Sequence, residues 1–188
     1  MTSLTTTTPT GTLARQDGMQ RLQQAAQQAA AARKPLAVLT LDLDHFKPFH
    51  DEVGEPRAAE VLEELAAVTG RTLPAGTALA HLGSDEFFAV LPDTTLAAAQ
   101  AMAERLRTAI EQGLSGFDAS PRLTATIGVA VSPAEGSWNG DDLLALADMR
   151  MTFAKRRLTP HHNLVWAGTL PSDWYTRLDL DPARWPAL

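Results

Sequence analysis

The hydrophobic and polar positions of the chain alternate between a helical period and a strand period. Apolar residues at helical spacing predict helices over 16–33, 55–69, 93–113 and 141–157. Short apolar or alternating runs predict strands over 36–44, 77–82, 86–91, 122–131 and 163–166. The GSD turn between the second and third strands predicts a hairpin, and the fourth strand has the pattern of a strand with one buried face. Asp93 or Thr94 is the predicted N-cap of the third helix.

This order of elements predicts a ferredoxin-like α/β (α+β) fold. The core order is β-α-β-β-α-β with one extra helix on each side, which predicts an antiparallel sheet with helices on one face. Side chains alternate along a strand, so Asp42 and Asp44 should point to the same face. Such a sheet brings the end of the first strand beside the central hairpin. We therefore expect Asp42 and Asp44 to converge with Asp85 and Glu86.

Size, charge and composition narrow the class of protein. At 188 residues with 45% hydrophobic content, the chain predicts one domain with appendages: a flexible threonine-rich tail at 1–12, a folded domain at 13–167 and a tryptophan-containing tail at 168–188. The formal net charge of −6 disfavours nucleic acid as a partner. There is no cysteine and no long apolar stretch or signal sequence, so we expect a soluble cytoplasmic protein with no membrane contact.

Four converging carboxylates indicate a cation. Asp42, Asp44, Asp85 and Glu86 would repel one another unless a hard metal such as Mg²⁺ neutralised them, and Mg²⁺ in turn usually brings phosphates. Lys47 and the lysine at the basic end of the last long helix, Lys155, offer positive charge to those phosphates. A simpler interpretation also fits, because GSDE is good hairpin-turn chemistry and aspartates at strand ends often act as solvated caps. The spacing alone leaves both interpretations open.

Four ordered motifs resemble one known family. "LDLDHFKPFHDEVG", "GSDEFFAVLP", "TATIGVAVSP" and "LLALADMRMTFAK" are similar to the motifs of the GGDEF domain of diguanylate cyclases, and the likeness covers about residues 10–167. The resemblance implies a sheet related to the palm of polymerases and adenylyl cyclases. It also implies a head-to-tail homodimer in which two GTP molecules condense to cyclic di-GMP.

The resemblance also implies roles for individual residues. Asp42 and Asp85 would bind Mg²⁺ (or Mn²⁺) together with the backbone carbonyl of Leu43, and Glu86 would lie near the attacking 3′-hydroxyl. Asp85, Glu86 and Lys47 form the catalytic set. The implied nucleotide-binding positions are Lys47, His50, Ala59, Gly83, Ser84 and Lys155.

Several of these positions depart from the family pattern. The family reads guanine with an asparagine and an aspartate, where this chain has His50 and Ala59. Ala59 cannot accept hydrogen bonds, and unpaired donors on a buried base edge cost about 1–3 kcal/mol each. Ser84 replaces the second glycine of the motif, and Glu55 adds a negative charge near the pocket. The family's product-inhibition motif is absent from the "PAGT" segment that precedes the hairpin.

Two functions therefore remain open from the sequence. One is a cyclase that acts weakly on GTP or, with relaxed specificity, on another purine triphosphate. The other is a non-catalytic module that binds a purine nucleotide, a cyclic dinucleotide or a protein partner. The C-terminal tail carries Trp174, Tyr175 and Trp185, which predicts either a segment that packs back onto its own domain or a docking segment for a partner. A tail lying across the acidic residues would block substrate.

Overall fold

The computed structural model describes residues 12–158 and 162–188. The helices are α1 (Arg15–Ala32), α2 (Phe46–Val53), α3 (Glu55–Thr72), α4 (Leu96–Gly113), α5 (Gly140–Phe153) and α6 (Ser172–Arg177). The strands are β1 (Leu36–Asp44), β2 (Ala78–Gly83), β3 (Glu86–Pro92), β4 (Thr124–Val131) and β5 (Val165–Trp166). One π-helical turn, Ala154–Leu158, directly continues α5. Within the described residues no helix is long and apolar enough to cross a membrane.

The strands form a five-stranded sheet in the order β2-β3-β1-β4-β5. Neighbouring strands are antiparallel, except that the short β5 runs parallel to β4. In the register of β1 with β3, Asp42 lies opposite Glu86. The α/β fold with a mainly antiparallel central sheet is therefore confirmed, and so is the predicted approach of the end of β1 to the central hairpin.

Helices are packed around both faces of the sheet: the two helices of the β-α-β-β-α-β core, α3 and α4, share one face as predicted, and α1 and α5 cover the other. Odd-numbered residues of β1, such as Leu39 and Leu41, pack with α3 and α4 in one core. Even-numbered residues, such as Leu36 and Val38, pack with α1, α5 and the C-terminal tail in a second core. All of β4 is buried for the same reason, which corrects the prediction of a single buried face. The small and polar residues of β4 had suggested exposure, but Gly128 meets α5 at close range, and the hydroxyls of Thr124 and Thr126 donate to Asp44.

Gly128 in β4 lets α5 approach the sheet closely. A β-carbon at this position would lie 2.0 Å from the carbonyl oxygen of Ala147 and 2.6 Å from the amide nitrogen of Met151. Both atoms belong to the backbone of α5, so no side-chain movement would relieve the clash. This contact fixes the height of α5 above β1 and β4, and with it the position of the turn that follows α5.

Three local predictions need correction. Helix α2 was not predicted, because it has only eight residues, contains Pro48 and buries only Phe46 and Phe49. The N-cap of α4 is Thr95, whose hydroxyl accepts from the amide of Ala98, rather than Asp93 or Thr94. The fourth predicted helix ends as an α-helix at Phe153 and continues as the π-helical turn.

The C-terminal tail packs onto its own domain. Trp174, Tyr175 and Trp185 are at most 7% exposed and belong to the core that α1 and α5 form with the sheet. Arg150, which is fully buried in α5, donates to the carbonyl oxygens of Val129 and Pro186 at 2.7 and 2.8 Å. The hypothesis of a tail across the acidic residues is therefore wrong.

The N-terminal tail lies almost entirely outside the described residues, which begin at Thr12. Thr12 itself is buried, and Leu13 forms an isolated bridge to Ala80 in β2. The last residue of the predicted flexible segment is therefore packed on the domain.

Candidate functional site

The acidic residues meet where β1 ends and β3 begins, a region that we call the acidic corner: Asp42, Asp44, Asp85 and Glu86 with Lys155. The hairpin turn consists of Ser84 and Asp85; Gly83 ends β2 with a φ of +148°, and Ser84 has a φ of +50°. A serine in this left-handed region costs about 1 kcal/mol relative to glycine. His81 stabilises the turn, since its Nε2 donates to the Ser84 carbonyl at 2.7 Å and its ring stacks on Phe87 at 4.5 Å. The turn therefore holds Asp85 beside the end of β1.

Lys155 neutralises part of the acidic corner. Its ammonium group hydrogen-bonds the carboxylate of Asp42 and donates to the backbone carbonyl of Leu43 at 3.2 Å. The carboxylate of Asp44 lies 3.4 Å away. Lys155 reaches these groups from the π-helical turn, a kind of irregularity that is frequent at functional sites. The structure thus brings together Lys155, Asp42 and the carbonyl of Leu43, which the sequence had assigned to separate phosphate-binding and metal-binding roles.

Asp44 has a different role from the other carboxylates. It is fully buried and accepts from the hydroxyls of Thr124 and Thr126 at 2.8 Å each and from the amide of Asn163 at 2.9 Å. These bonds satisfy most of its acceptor capacity and tie β4 to the segment that leads into β5. Asp44 is therefore an anchor of the site rather than an open ligand.

The remaining carboxylates share a strongly negative environment. Burial raises the pKa of Asp42 to about 7, and Asp85 and Glu86 add to this shift while Lys155 opposes it. Burial also raises the pKa of Glu86, followed by repulsion from Asp148 and Asp85. Asp148 lies on α5, and burial raises its pKa as well. Asp148 was not among the predicted site residues, although a carboxylate among the apolar residues of α5 was a usable signal.

The donors at the acidic corner suit a hard cation. The Asp42 carboxylate and the Leu43 carbonyl converge on a single cationic group, the ammonium of Lys155, and oxygen donors are the ligands that Mg²⁺ prefers. In the part of the chain that the structure describes, no group of three or more His, Asp or Glu side chains has the geometry of a metal site. A metal at this corner would therefore depend on the backbone carbonyl.

A cavity of about 300 Å³ lies next to the acidic corner, between α2, α3 and the hairpin turn. We call it the α2–α3 cavity. Its lining residues are Phe46, Lys47, His50, Glu55, Ala58, Ala59, Leu62 and Ser84. Four of the predicted nucleotide-binding residues, Lys47, His50, Ala59 and Ser84, therefore share one cavity, whereas Lys155 lies at the acidic corner and Gly83 at the adjoining end of β2.

The charged residues of the α2–α3 cavity form two exposed pairs. The Lys47 ammonium lies 3.1 Å from the carboxylate of Asp51, which lowers the pKa of Asp51. The Nε2 atom of His50 lies 2.8 Å from Oε2 of Glu55, and this hydrogen bond raises the pKa of His50. From the sequence Glu55 was expected only to add an unfavourable charge, and Asp51 was not among the predicted site residues.

Comparison with known proteins agrees with this architecture. The family model for "Diguanylate cyclase, GGDEF domain" matches residues 8–159. The chain is 32% identical over 133 residues to the probable diguanylate cyclase DgcT of Escherichia coli K12, a match that covers 69% of this chain and 29% of that protein. It is 35% identical over 135 residues to the bifunctional diguanylate cyclase/cyclic di-GMP phosphodiesterase MucR of Pseudomonas aeruginosa, covering 72% of this chain and 20% of that protein.

A solved structure has the same fold. The GGDEF domain of DgcB from Caulobacter crescentus, crystallised with c-di-GMP, superposes with a TM-score of 0.76 at 22% identity and covers 88% of this chain and 94% of that one. The chain spans less than a third of the length of the two relatives named above, so the likeness concerns one domain of them. The match of the family model to most of the folded residues leads to a plain conclusion: the chain belongs to the GGDEF domain family.

Proposed function

We propose that this protein is a degenerate GGDEF domain of cyclic-dinucleotide signalling that binds a purine nucleotide with Mg²⁺ and has weak or no diguanylate cyclase activity. The observation that carries the proposal is a contrast between two adjoining regions. In the acidic corner, Lys155 hydrogen-bonds Asp42, and the charges of Asp85 and Glu86 lie close enough to raise the pKa of Asp42. The α2–α3 cavity presents the methyl group of Ala59 where the family has a hydrogen-bond acceptor.

Each retained residue has a defined task in binding. Asp42, Asp85 and the Leu43 carbonyl would hold Mg²⁺, which when bound activates a hydroxyl and stabilises a pyrophosphate leaving group. Lys47 lines the cavity with a side chain that is 85% exposed, so its ammonium can turn from Asp51 towards a phosphate. Lys155 can neutralise a second phosphate from its position at the corner.

Glu86 supplies the acid–base function. It lies opposite Asp42 at the start of β3, and burial with neighbouring negative charge raises its pKa. A carboxylate with a raised pKa accepts a proton near neutral pH more readily than an ordinary one. Glu86 could therefore accept the proton of a 3′-hydroxyl that attacks the α-phosphorus of a second nucleotide.

The alternative function is an active diguanylate cyclase or a relaxed-specificity cyclic dinucleotide synthase. Two nucleoside triphosphates would form one cyclic dinucleotide and release two pyrophosphates. Because each active site would present one nucleotide, this reaction needs a homodimer with two facing sites. The specific observation in its favour is that Glu86, Asp42 and Lys155 keep a connected arrangement across three elements. A nucleoside triphosphate substrate also places the proposed activity in the cytoplasm.

A protein partner would meet the C-terminal tail from its solvent side. The aromatic side chains of the tail are buried, whereas Leu188 is 62% exposed. We therefore assign any partner contact to the outer surface of the tail rather than to its tryptophans.

The test is incubation of the purified protein with Mg²⁺ or Mn²⁺ and GTP, ATP or both, with mass spectrometry for cyclic dinucleotides and calorimetry for binding. The proposal expects metal-dependent nucleotide binding with little or no product. Rapid product formation that disappears in Asp85→Ala and Glu86→Ala variants would establish the alternative. A folded protein that binds no purine triphosphate would rule out both.

A further inference from the structure

We propose that Glu55, together with His50, reads the base edge of a nucleotide in the α2–α3 cavity and that this pair favours guanine over adenine. The inference rests on the proposed function, because it names the base that the same site would accept. It assigns a specificity-determining role to a residue whose charge otherwise disfavours a triphosphate.

The cavity has the size and lining of a site for a flat ring. Its volume of about 300 Å³ lies at the lower end of the range for small-molecule pockets, about 300–1,000 Å³. Phe46, Ala58 and Leu62 supply apolar walls, and the polar groups are confined to Lys47, His50, Glu55 and Ser84. Ser84 directly precedes Asp85, so a base in the cavity would have its phosphates directed towards the acidic corner. An apolar slot with a few polar groups at one edge is typical of sites that orient a heterocycle.

Glu55 lies one helical turn before Ala59 on α3. Residues four apart on a helix share a face, with β-carbons about 5–6 Å apart, and both residues line this cavity. Helix side chains lean towards the N-terminus, so Glu55 extends towards His50, while the methyl group of Ala59 leaves the cavity wall beside it open to a base. The carboxylate of Glu55 therefore faces the same cavity as position 59, from the preceding turn.

The donors and acceptors of the His50–Glu55 pair match the guanine edge. Guanine offers the O6 acceptor next to the N1 and N2 donors, whereas adenine offers the N6 donor next to the N1 acceptor. Oε2 of Glu55 bonds His50, which leaves Oε1 to accept from a ligand. Each carboxylate oxygen has two lone pairs, so Glu55 can still accept from two parallel N–H groups, and Nδ1 of a protonated His50, which lies 3.7 Å from Asp51, can donate to O6. Against adenine, the same carboxylate would face the N1 lone pair.

The surroundings of His50 favour its protonated form, in which both ring nitrogens are hydrogen-bond donors. Its ring lies between two carboxylates, with Nε2 2.8 Å from Glu55 and Nδ1 3.7 Å from Asp51. The Phe46 ring on its other side carries no charge and lies 6.1 Å from the imidazole centroid. Both carboxylates stabilise the imidazolium, in agreement with the raised pKa of His50.

The decisive measurement is the ratio of GTP affinity to ATP affinity. The ligands are 3′-deoxy-GTP and 3′-deoxy-ATP with Mg²⁺, because the missing hydroxyl prevents turnover. Both ligands carry the same triphosphate, so the ratio cancels the general repulsion between Glu55 and phosphate. The wild-type protein should bind the guanine ligand at least about 10-fold more tightly, and Glu55→Gln should remove about 10–100-fold of that preference.

Two further variants sharpen the test. Glu60→Gln is the matched control, because Glu60 lies on the same helix, pairs with Arg57 and does not line the cavity, so the ratio should not change. Adding Ala59→Asp to Glu55→Gln should restore the guanine preference by returning a carboxylate to the same face. A ratio that Glu55→Gln leaves unchanged while both ligands still bind would overturn this inference alone. A folded wild-type protein that binds neither ligand would overturn the proposed function as well.

Discussion

Replacing Arg150 by methionine should release the C-terminal tail from the sheet. Arg150 is completely buried, and its guanidinium joins β4 to the tail through the carbonyl oxygens of Val129 and Pro186. Methionine keeps much of the aliphatic volume but removes the donors. The variant therefore isolates the polar contribution of Arg150 to tail attachment.

The magnitude follows from the groups that lose their partner. The carbonyl of Val129, which is buried, and that of Pro186, which is half-buried, lose their donor at a cost of at most about 1–3 kcal/mol each, or about 2–6 kcal/mol together. Methionine also removes the cost of burying a charge, an effect that can offset much of the loss. We therefore expect the free energy of unfolding to fall by about 2–4 kcal/mol.

Urea denaturation followed by tryptophan fluorescence measures this loss, since Trp174 and Trp185 lie in the affected core. Arg105→Met is the matched control, because Arg105 is exposed on α4, and its free energy of unfolding should change by no more than about 0.5 kcal/mol. If Arg150→Met were as stable as this control, Arg150 would not hold the tail, and the reasoning would be refuted.

Three further predictions concern stability, each measured by thermal denaturation. Gly128→Ala should lower the free energy of unfolding by about 3 kcal/mol or more, because the new β-carbon would meet the α5 backbone. Gly70→Ala should raise it by about 0.5–1 kcal/mol, because no atom lies within 4 Å of the position that its β-carbon would take. Similar effects of the two substitutions would contradict the packing described. Asp44→Ala should lower the free energy of unfolding by about 2–4 kcal/mol, since two threonine hydroxyls and an amide lose their acceptor. An unchanged melting temperature would refute the anchoring role. Asp148→Asn should stabilise the protein at pH 7, because the folded carboxyl has a raised pKa and its charge therefore destabilises the fold above the ordinary aspartate pKa. The gain should vanish near pH 3, below the ordinary value of about 3.9, and a gain that persists there would exclude this cause.

The strand framework was predictable because its signals are local. Turn residues and a two-residue period fixed β1 and the hairpin, and antiparallel pairing then placed Asp42 opposite Glu86. The N-cap of α4 was missed by one or two residues, because Asp93, Thr94 and Thr95 are all good capping residues. Nothing local distinguishes them until the first turn of α4 is packed.

The details of the candidate site were less predictable because they depend on distant contacts. Lys155 reaches Asp42 only through a π-helical turn that follows the close packing of α5 on Gly128. The pairing of His50 with Glu55 crosses the boundary between α2 and α3, and α2 itself carried too few apolar positions to be recognised. Charge and spacing indicated the residue types, but tertiary packing decided which of them met.

The two cores on either side of the sheet would be completed at different times during synthesis of the chain. The core under α3 and α4 uses only residues between Ala37 and Ala167. The opposite core joins Leu22, near the start of the chain, to Trp185, near the end of the described residues. Domains form from the N-terminus as the chain leaves the ribosome, and contacts between distant residues form late. The face that carries Lys155 would therefore stay open to chaperones until Trp185 has emerged, slightly later than the opposite face, which needs residues only as far as Ala167.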